Sequence, residues 1–306
     1  MVLASVVLAL VLEGSRAEAA GARQEGEASV SLPETDVLPA LEKPAPYSIP
    51  WHLRPVLVVT AVRSDTVVAF QDRAATIVSF LGAAFEVGKN VGIGVRSGWV
   101  HQLGEGEAAA SAFTNTALSA THASRLSTPL RLALTAGVVL PSGQGGGTVA
   151  NPRERAAIVA GSLARSGIDN TMFAANDVSL LAGVSLAWIA HGLTVQADLT
   201  GFEYLRVRAA RVQEDAWKTA ATAGVHVGYF VVPWLSAGAE VRYQILLYPG
   251  RALPGRDSLT ASAGVRVHVP VGAHVLRPGV AYAHPIDDPM AALGYRIVQV
   301  DVPFVF

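Results

Sequence analysis

The stretch Arg296-Ile-Val-Gln-Val-Asp-Val-Pro-Phe-Val-Phe306 alternates residue by residue. Val298, Val300, Val302, Phe304 and Phe306 share one face, and Ile297, Gln299, Asp301, Pro303 and Val305 share the other. Period two is the signature of a strand whose faces meet different surroundings. One face here is wholly apolar and ends in aromatics. The other holds an amide and a carboxylate.

The same alternation recurs upstream. In 258–269, Ser258, Thr260, Ser262, Gly264, Arg266 and His268 oppose Leu259, Ala261, Ala263, Val265, Val267 and Val269. In 235–247, Glu240, Arg242 and Gln244 oppose Leu235, Ala237, Ala239, Val241, Tyr243 and Ile245. Thr194, Gln196, Asp198 and Thr200 oppose Leu193, Val195, Ala197 and Leu199. In 130–140, Arg131 and Thr135 oppose leucines and Val138, and in 91–99 Gly92, Gly94, Arg96 and Gly98 oppose Val91, Ile93, Val95 and Trp99. Every charge sits opposite the apolar face. A charge facing lipid at mid-depth costs roughly 2–4 kcal/mol, so the polar faces are expected to point inward.

Twelve such segments are expected, at 55–63, 75–87, 91–102, 113–124, 130–140, 177–189, 193–206, 217–230, 235–247, 258–269, 273–283 and 295–306. Short turn signals such as Gly88-Lys89-Asn90, His191-Gly192 and Pro270-Val271-Gly272 alternate with longer connections at 64–74, 103–112, 141–176, 207–216, 248–257 and 284–294. An even strand count with alternating connection lengths predicts an all-β fold. It is an antiparallel transmembrane β-barrel with short periplasmic turns and long extracellular loops. A soluble sandwich needs no such alternation of loops. Trp99, Trp188, Trp217, Tyr229, Trp234, Tyr282, Phe304 and Phe306 fall where interfacial aromatics are expected.

Composition agrees. The 306 residues are 51% hydrophobic and only 15% charged. No apolar run is long enough for a membrane-crossing helix. A barrel spreads its apolar residues over alternate positions instead. A net charge of −1 gives no electrostatic footprint for nucleic acid. The absence of Cys excludes disulfides and thiol chemistry. Residues 1–19 read as a signal peptide, with an apolar run from Val2 to Leu12 and Ala17-Glu18-Ala19 as the cleavage site, though no Lys or Arg precedes the run. Residues 20–50, rich in Glu, Ser and Pro, read as a periplasmic linker, and 51–306 as the barrel.

The terminal aromatic strand, Phe304 and Phe306, resembles the C-terminal strand of Gram-negative outer-membrane barrels, which the barrel-assembly machinery reads. The resemblance implies outer-membrane lipids and that machinery as partners. The segments Leu130-Arg-Leu-Ala-Leu-Thr-Ala-Gly-Val-Val-Leu-Pro-Ser-Gly143 and Leu276-Arg-Pro-Gly-Val-Ala-Tyr282 resemble the outer-membrane channel family named for a meta-pathway of phenol degradation. That resemblance covers two strands and the general layout. It implies a passive channel for small, apolar or aromatic solutes and transfers no functional residue.

The lumen residues expected from the alternation are Glu86, Arg96, Arg131, Asp198, His226, Glu240, Arg242, Arg266, His268, Arg277 and Asp301. As a ring they would set ion preference. As mutual partners they would plug the barrel. Twelve strands lie between filled eight-stranded barrels and open porins, so both remain open. Five Arg against four acids tilt the set toward anions. In the 141–176 connection, Gly143-Gln-Gly-Gly-Gly147 lacks the Lys-Ser/Thr of a phosphate loop. Asn151-Pro152 supplies a cap and a first-turn proline for a helix over 153–164, on the rim or in the lumen. His122 and Ser124 share a strand face, which raises a lipid-hydrolase alternative. No partner Asn is evident for it. The remaining His lack metal-ligand spacing, and no cofactor is implied.

Overall fold

The computed structural model describes residues 46–71, 74–104, 109–166, 169–209, 216–248, 257–287 and 291–306. The signal-peptide reading and most of the linker reading lie outside them. Fifteen strands form one sheet: β1 Ala61–Gln71, β2 Ala74–Gly88, β3 Val91–Gly104, β4 Ala110–Phe113, β5 Thr116–Arg125, β6 Leu130–Leu140, β7 Asp177–Ala190, β8 Leu193–Arg206, β9 Trp217–Val232, β10 Leu235–Tyr248, β11 Asp257–Val267, β12 Val269–Val271, β13 His274–Leu276, β14 Gly279–Pro285 and β15 Arg296–Val305. The short β4, β12 and β13 extend neighbouring strands. Twelve strands make the wall. It closes where β1 pairs antiparallel with β15 from Ala61↔Val305 to Phe70↔Arg296. Closure leaves no sheet edge, as a bilayer demands.

The strand faces follow the alternation. Gln299 and Asp301 are completely buried, whereas Val300 between them is 45% exposed. Thr194, Gln196 and Thr200 are buried inside, and Leu199 is 55% exposed outside. The outer surface is a continuous apolar belt, with Trp99, Trp217 and Tyr248 toward the loop end and Trp188, Tyr229, Trp234 and Phe306 toward the turn end. The turn at His191-Gly192 has positive φ at both residues (51° and 79°), the tight hairpin geometry that matches strand twist.

Three expectations are corrected. The first strand is 61–71, not 55–63. Pro55 has no N–H for a ladder, and 55–59 is apolar on both faces, which suits an interior segment rather than a wall. The expected loop 64–74 is therefore mostly strand, because β1 ends at Gln71 and β2 begins at Ala74. The eleventh segment breaks at Arg277-Pro278 into β13 and β14. Finally, residues 46–50, expected in the periplasmic linker, lie inside the barrel: Tyr47, Ser48 and Pro50 are all buried.

The interior is filled from both ends. From the turn end, residues 46–60 rise along β8 to β10 and descend past β2 and β3. Ser48 N donates to Thr194 Oγ1 (3.0 Å), and Glu86 N donates to Thr60 Oγ1 (3.2 Å). From the loop end comes α1, Pro152–Ala164, followed by the single turn α2, Asn170–Phe173. Asn151 caps α1 by accepting the N–H of Arg153 (3.0 Å). The α1 helix lies within the barrel mouth: Ala157, Ile158 and Ala164 pack with Val67, Val78, Phe80, Val100 and Val139 of the wall. This explains why the upper inward positions are apolar. They face a helix, not water. Small residues allow the approach, since a Cβ at Gly161 would lie 2.6 Å from Val100 Cγ2 and 2.8 Å from Phe173 Cε1.

Candidate functional site

The lumen carries three polar tiers. Near the turn end, Glu240 is 1% exposed and receives residues 46–60, which form a plug. Its Oε2 accepts the N–H of Trp51 (3.0 Å), and its Oε1 accepts those of His52 (3.0 Å) and Leu53 (3.2 Å). His52 Nδ1 and His226 Nδ1 lie 3.2 and 3.7 Å from the same carboxylate. Three successive amides aimed at one carboxylate form a backbone anion nest filled by the barrel wall. Asp301, completely buried, joins Arg63 (2.7 Å) and Arg266 (2.6 Å). The Arg63 Nη2 also donates to the carbonyls of Pro50 (3.2 Å) and Trp51 (2.7 Å), and the Arg266 guanidinium stacks on the Trp51 ring at 4.4 Å.

One level up, Arg54 of the plug lies 3.6 Å from Asp198 and donates to Thr200. Asp198 also accepts Ser185 Oγ–H (2.6 Å). Tyr47 Oη–H donates to Gln196 Oε1 (2.7 Å), whose amide donates to the Arg54 carbonyl (2.6 Å).

The third tier ties the loop to the wall. Arg165 at the end of α1 pairs with Asp65 (3.0 Å) and Asp169 (2.5 Å). Arg96 on β3 pairs with the same two carboxylates at 3.2 and 2.9 Å. Both guanidinium groups lie over Phe80, at 4.1 and 5.1 Å from its centroid. Burial opposes ionisation of Asp169, but Arg96 and Arg165 outweigh it and hold the carboxyl well below the usual range. Asn115 fastens the rest of the loop: it accepts Gly143 N–H (3.1 Å) and donates to the carbonyls of Thr171 (3.0 Å) and Ala174 (2.9 Å).

Two cavities lie among the described residues of the interior. A vestibule of about 530 Å³ at the loop end lies between α1, α2 and the β8–β10 wall, with Arg155, Asp177, Arg206 and Lys218 on its surface. An inner cavity of about 370 Å³ runs between the plug and the β1–β6 wall. The α2 turn partitions them: Asn170 and Phe173 face the vestibule, and Thr171 and Met172 face the inner cavity.

Of the expected lumen residues, Asp198, His226, Glu240, Arg242, Arg266, His268 and Asp301 are buried inside, and Arg96 is half-buried there. Two are misplaced by the expectation. Glu86 and Arg131 have inward parity but lie at the turn-end rim, where Glu86 is exposed and Arg131 donates to Ser127 O (3.1 Å). Neither side chain joins the ion pairs of the interior among the described residues. Arg277 sits at the wall break, beside the inner cavity. Sequence reasoning missed Arg54, Arg63, Asp65, Arg165 and Asp169. Arg54 precedes the expected first strand, Arg63 lies in that misplaced strand, and Asp65, Arg165 and Asp169 lie in segments read as loops.

His122 and Ser124 point outward from β5, with His122 Nε2 and Ser124 Oγ 2.9 Å apart. Val91 and Leu134 flank His122 on the adjacent strands. Among the described residues no carboxylate or Asn side chain orients the ring. Phe304 and Phe306 also face outward at the turn end and pack edge-on at 4.8 Å, both against His274.

No family model and no curated protein matches the chain. Solved structures do. An outer membrane channel from Pseudomonas putida F1 is 12% identical over 85% of this chain and all of that chain, with a TM-score of 0.51. The NanC porin is 8% identical, covers 80% and 98%, and has a TM-score of 0.49. The KdgM porin in complex with oligogalacturonate is 9% identical, covers 80% and 99%, and has a TM-score of 0.46. The likeness in fold rests on the first of these. Closed, apolar outside and polar inside, the chain is a twelve-stranded transmembrane β-barrel of the outer-membrane type.

Proposed function

We propose that the chain is an outer-membrane channel for small solutes, with a preference for anions and a lumen held closed by its own segments. The carrying observation is the pair of cavities with α2 between them, Asn170 and Phe173 lining the vestibule and Thr171 and Met172 the inner cavity, next to the ion pairs of Asp169. A barrel packed for strength alone has no need of a partition built from four residues. Charge supports the anion preference: around the plug and α2, seven arginines (Arg54, Arg63, Arg96, Arg165, Arg242, Arg266 and Arg277) meet five carboxylates (Asp65, Asp169, Asp198, Glu240 and Asp301) among the described residues. The Pseudomonas putida neighbour is itself titled a channel. In this reading residues 1–19 direct export, the turn end is periplasmic, and Phe304 and Phe306 serve assembly into the lipid bilayer.

Planar-bilayer recording tests it. The wild type should show small, infrequent openings whose reversal potential in a salt gradient favours chloride. Replacing 46–59 with a Gly/Ser segment should raise conductance several-fold. A silent bilayer with both proteins at high load would sink the channel reading.

The plug itself favours a second reading, a structural barrel with a permanently closed lumen, which predicts that silence. The His122–Ser124 contact favours a third, hydrolysis of lipid at the outer wall. That reading lacks an orienting acid, and it requires phospholipid hydrolysis that disappears in Ser124→Ala.

A further inference from the structure

The inner cavity has a chemical asymmetry. Ile49, Leu57 and Val58 of the plug face Ala83, Val139 and Leu181 of the wall, giving an apolar body. Arginines also border it. Arg54 is next to Asp198, Arg63 is paired with Asp301, and Arg96 with Asp65 and Asp169. Arg242 donates to the His52 carbonyl (3.3 Å). Arg277 differs. Among the described residues no carboxylate lies within ion-pair distance of it, and its Nε is buried without a hydrogen-bond partner. Its backbone is fixed, since its N–H donates to Pro303 O (2.8 Å) and its carbonyl accepts from Arg266 Nη1 (2.8 Å). The main chain of Arg277 is thus fixed beside the cavity, and its half-buried side chain lines it.

Burying a guanidinium N–H without an acceptor is costly, because the hydration lost at Nε is not replaced. The fork of N–H donors on Arg matches a carboxylate. A cavity of about 370 Å³ is at the small end of ligand pockets. On the opposite wall, Thr121 and Thr135 hydroxyls, 3.1 Å apart, and Ser119 add a narrow polar stripe.

We propose that the inner cavity binds a small organic anion whose carboxylate pairs with Arg277 and whose apolar body lies between Leu57, Val58 and Leu181. The site names the solute class of the channel and rests on that reading only for how the anion arrives. Arg277 acts as the specificity-determining residue, and the apolar walls set the length of the chain or ring that fits.

The test uses the full barrel in detergent micelles and titration calorimetry with hexanoate, hexanol and inorganic phosphate. Hexanoate should bind the wild type, and affinity should fall by about tenfold or more in Arg277→Gln, the loss expected for a charged hydrogen-bonded pair. Arg277→Lys should recover part of it. Hexanol and phosphate should bind weakly to every form, the first lacking charge and the second lacking an apolar body. Heat-modifiable migration on gels shows that each variant is folded. Equal binding by Arg277→Gln and wild type overturns the site, as does phosphate binding as tightly as hexanoate. Absence of hexanoate binding with bilayer conductance intact also overturns it and leaves the channel standing. Arg277-dependent binding without conductance, even after Gly/Ser replacement of the plug, keeps the site and removes the channel.

Discussion

The Glu240 carboxylate accepts the backbone N–H of Trp51 at 3.0 Å, and the next two amides of the plug converge on it as well. The pairing joins the wall at β10 to a segment 189 residues away. Hydrogen bonds to a buried charge contribute about 1.5–3 kcal/mol each, and they are not additive. The plug is therefore anchored by interactions that one substitution can remove.

Glu240→Ala should destabilise the barrel by roughly 3 kcal/mol, because it orphans three buried amides. It should also lengthen channel openings. Thermal unfolding and single-channel dwell times measure the two effects. Unchanged dwell times in a folded variant would mean that Glu240 does not hold the gate.

Gly228 lies against the plug where it enters. A Cβ there would sit 2.1 Å from Ser48 Oγ and 2.5 Å from Ser48 Cβ. Gly228→Val should displace Ser48 without altering the outer wall, since position 228 faces inward. Proteolysis at the turn end should accelerate in this variant and remain slow in the wild type. Equal cleavage rates would show that the plug is not seated at Gly228.

Asp169 links α2 to both Arg96 and Arg165. Its carboxyl is held well below the ordinary range, so its contribution is complete above the unfolded value of about 3.9 and is lost as the pH falls through the folded value. The partition should stay closed from pH 7 to 5 and open only in strong acid. Asp169→Asn should open it already at pH 7. Wild-type opening between pH 7 and 5 would assign the gate to another group.

Val265 is 45% exposed on the outer face, directly beside inward Gly264 and Arg266. Val265→Arg should cost roughly 2–4 kcal/mol if this belt meets lipid. Chemical unfolding in detergent or vesicles tests it. A neutral effect would move this face out of the membrane.

Much of the barrel was legible in the residues because alternation is a local property. Once Asp301 and Gln299 oppose Val300, or Glu240 opposes Val241, the pleat puts one set inside whatever the partner strands are. The strands Leu130–Leu140 and Leu193–Arg206 have the bounds that the alternation gives. The first strand was not legible. In β1, Ser64 and Thr66 face outward while Val67 and Ala69 face inward, which inverts the usual pattern. That inversion makes sense only with α1 inside the mouth.

Sequence alone determined a closed antiparallel barrel with its charges turned inward, since strand period and the cost of a charge in lipid leave no other placement. Tertiary structure decided what those charges do. Residues 46–60 and α1 enter the lumen from opposite ends, and contacts such as Trp51 with Glu240, or Arg165 with Asp65, join residues far apart in the chain. No local pattern encodes such pairs, because a carboxylate facing an open pore and one facing a plug have the same sequence signature.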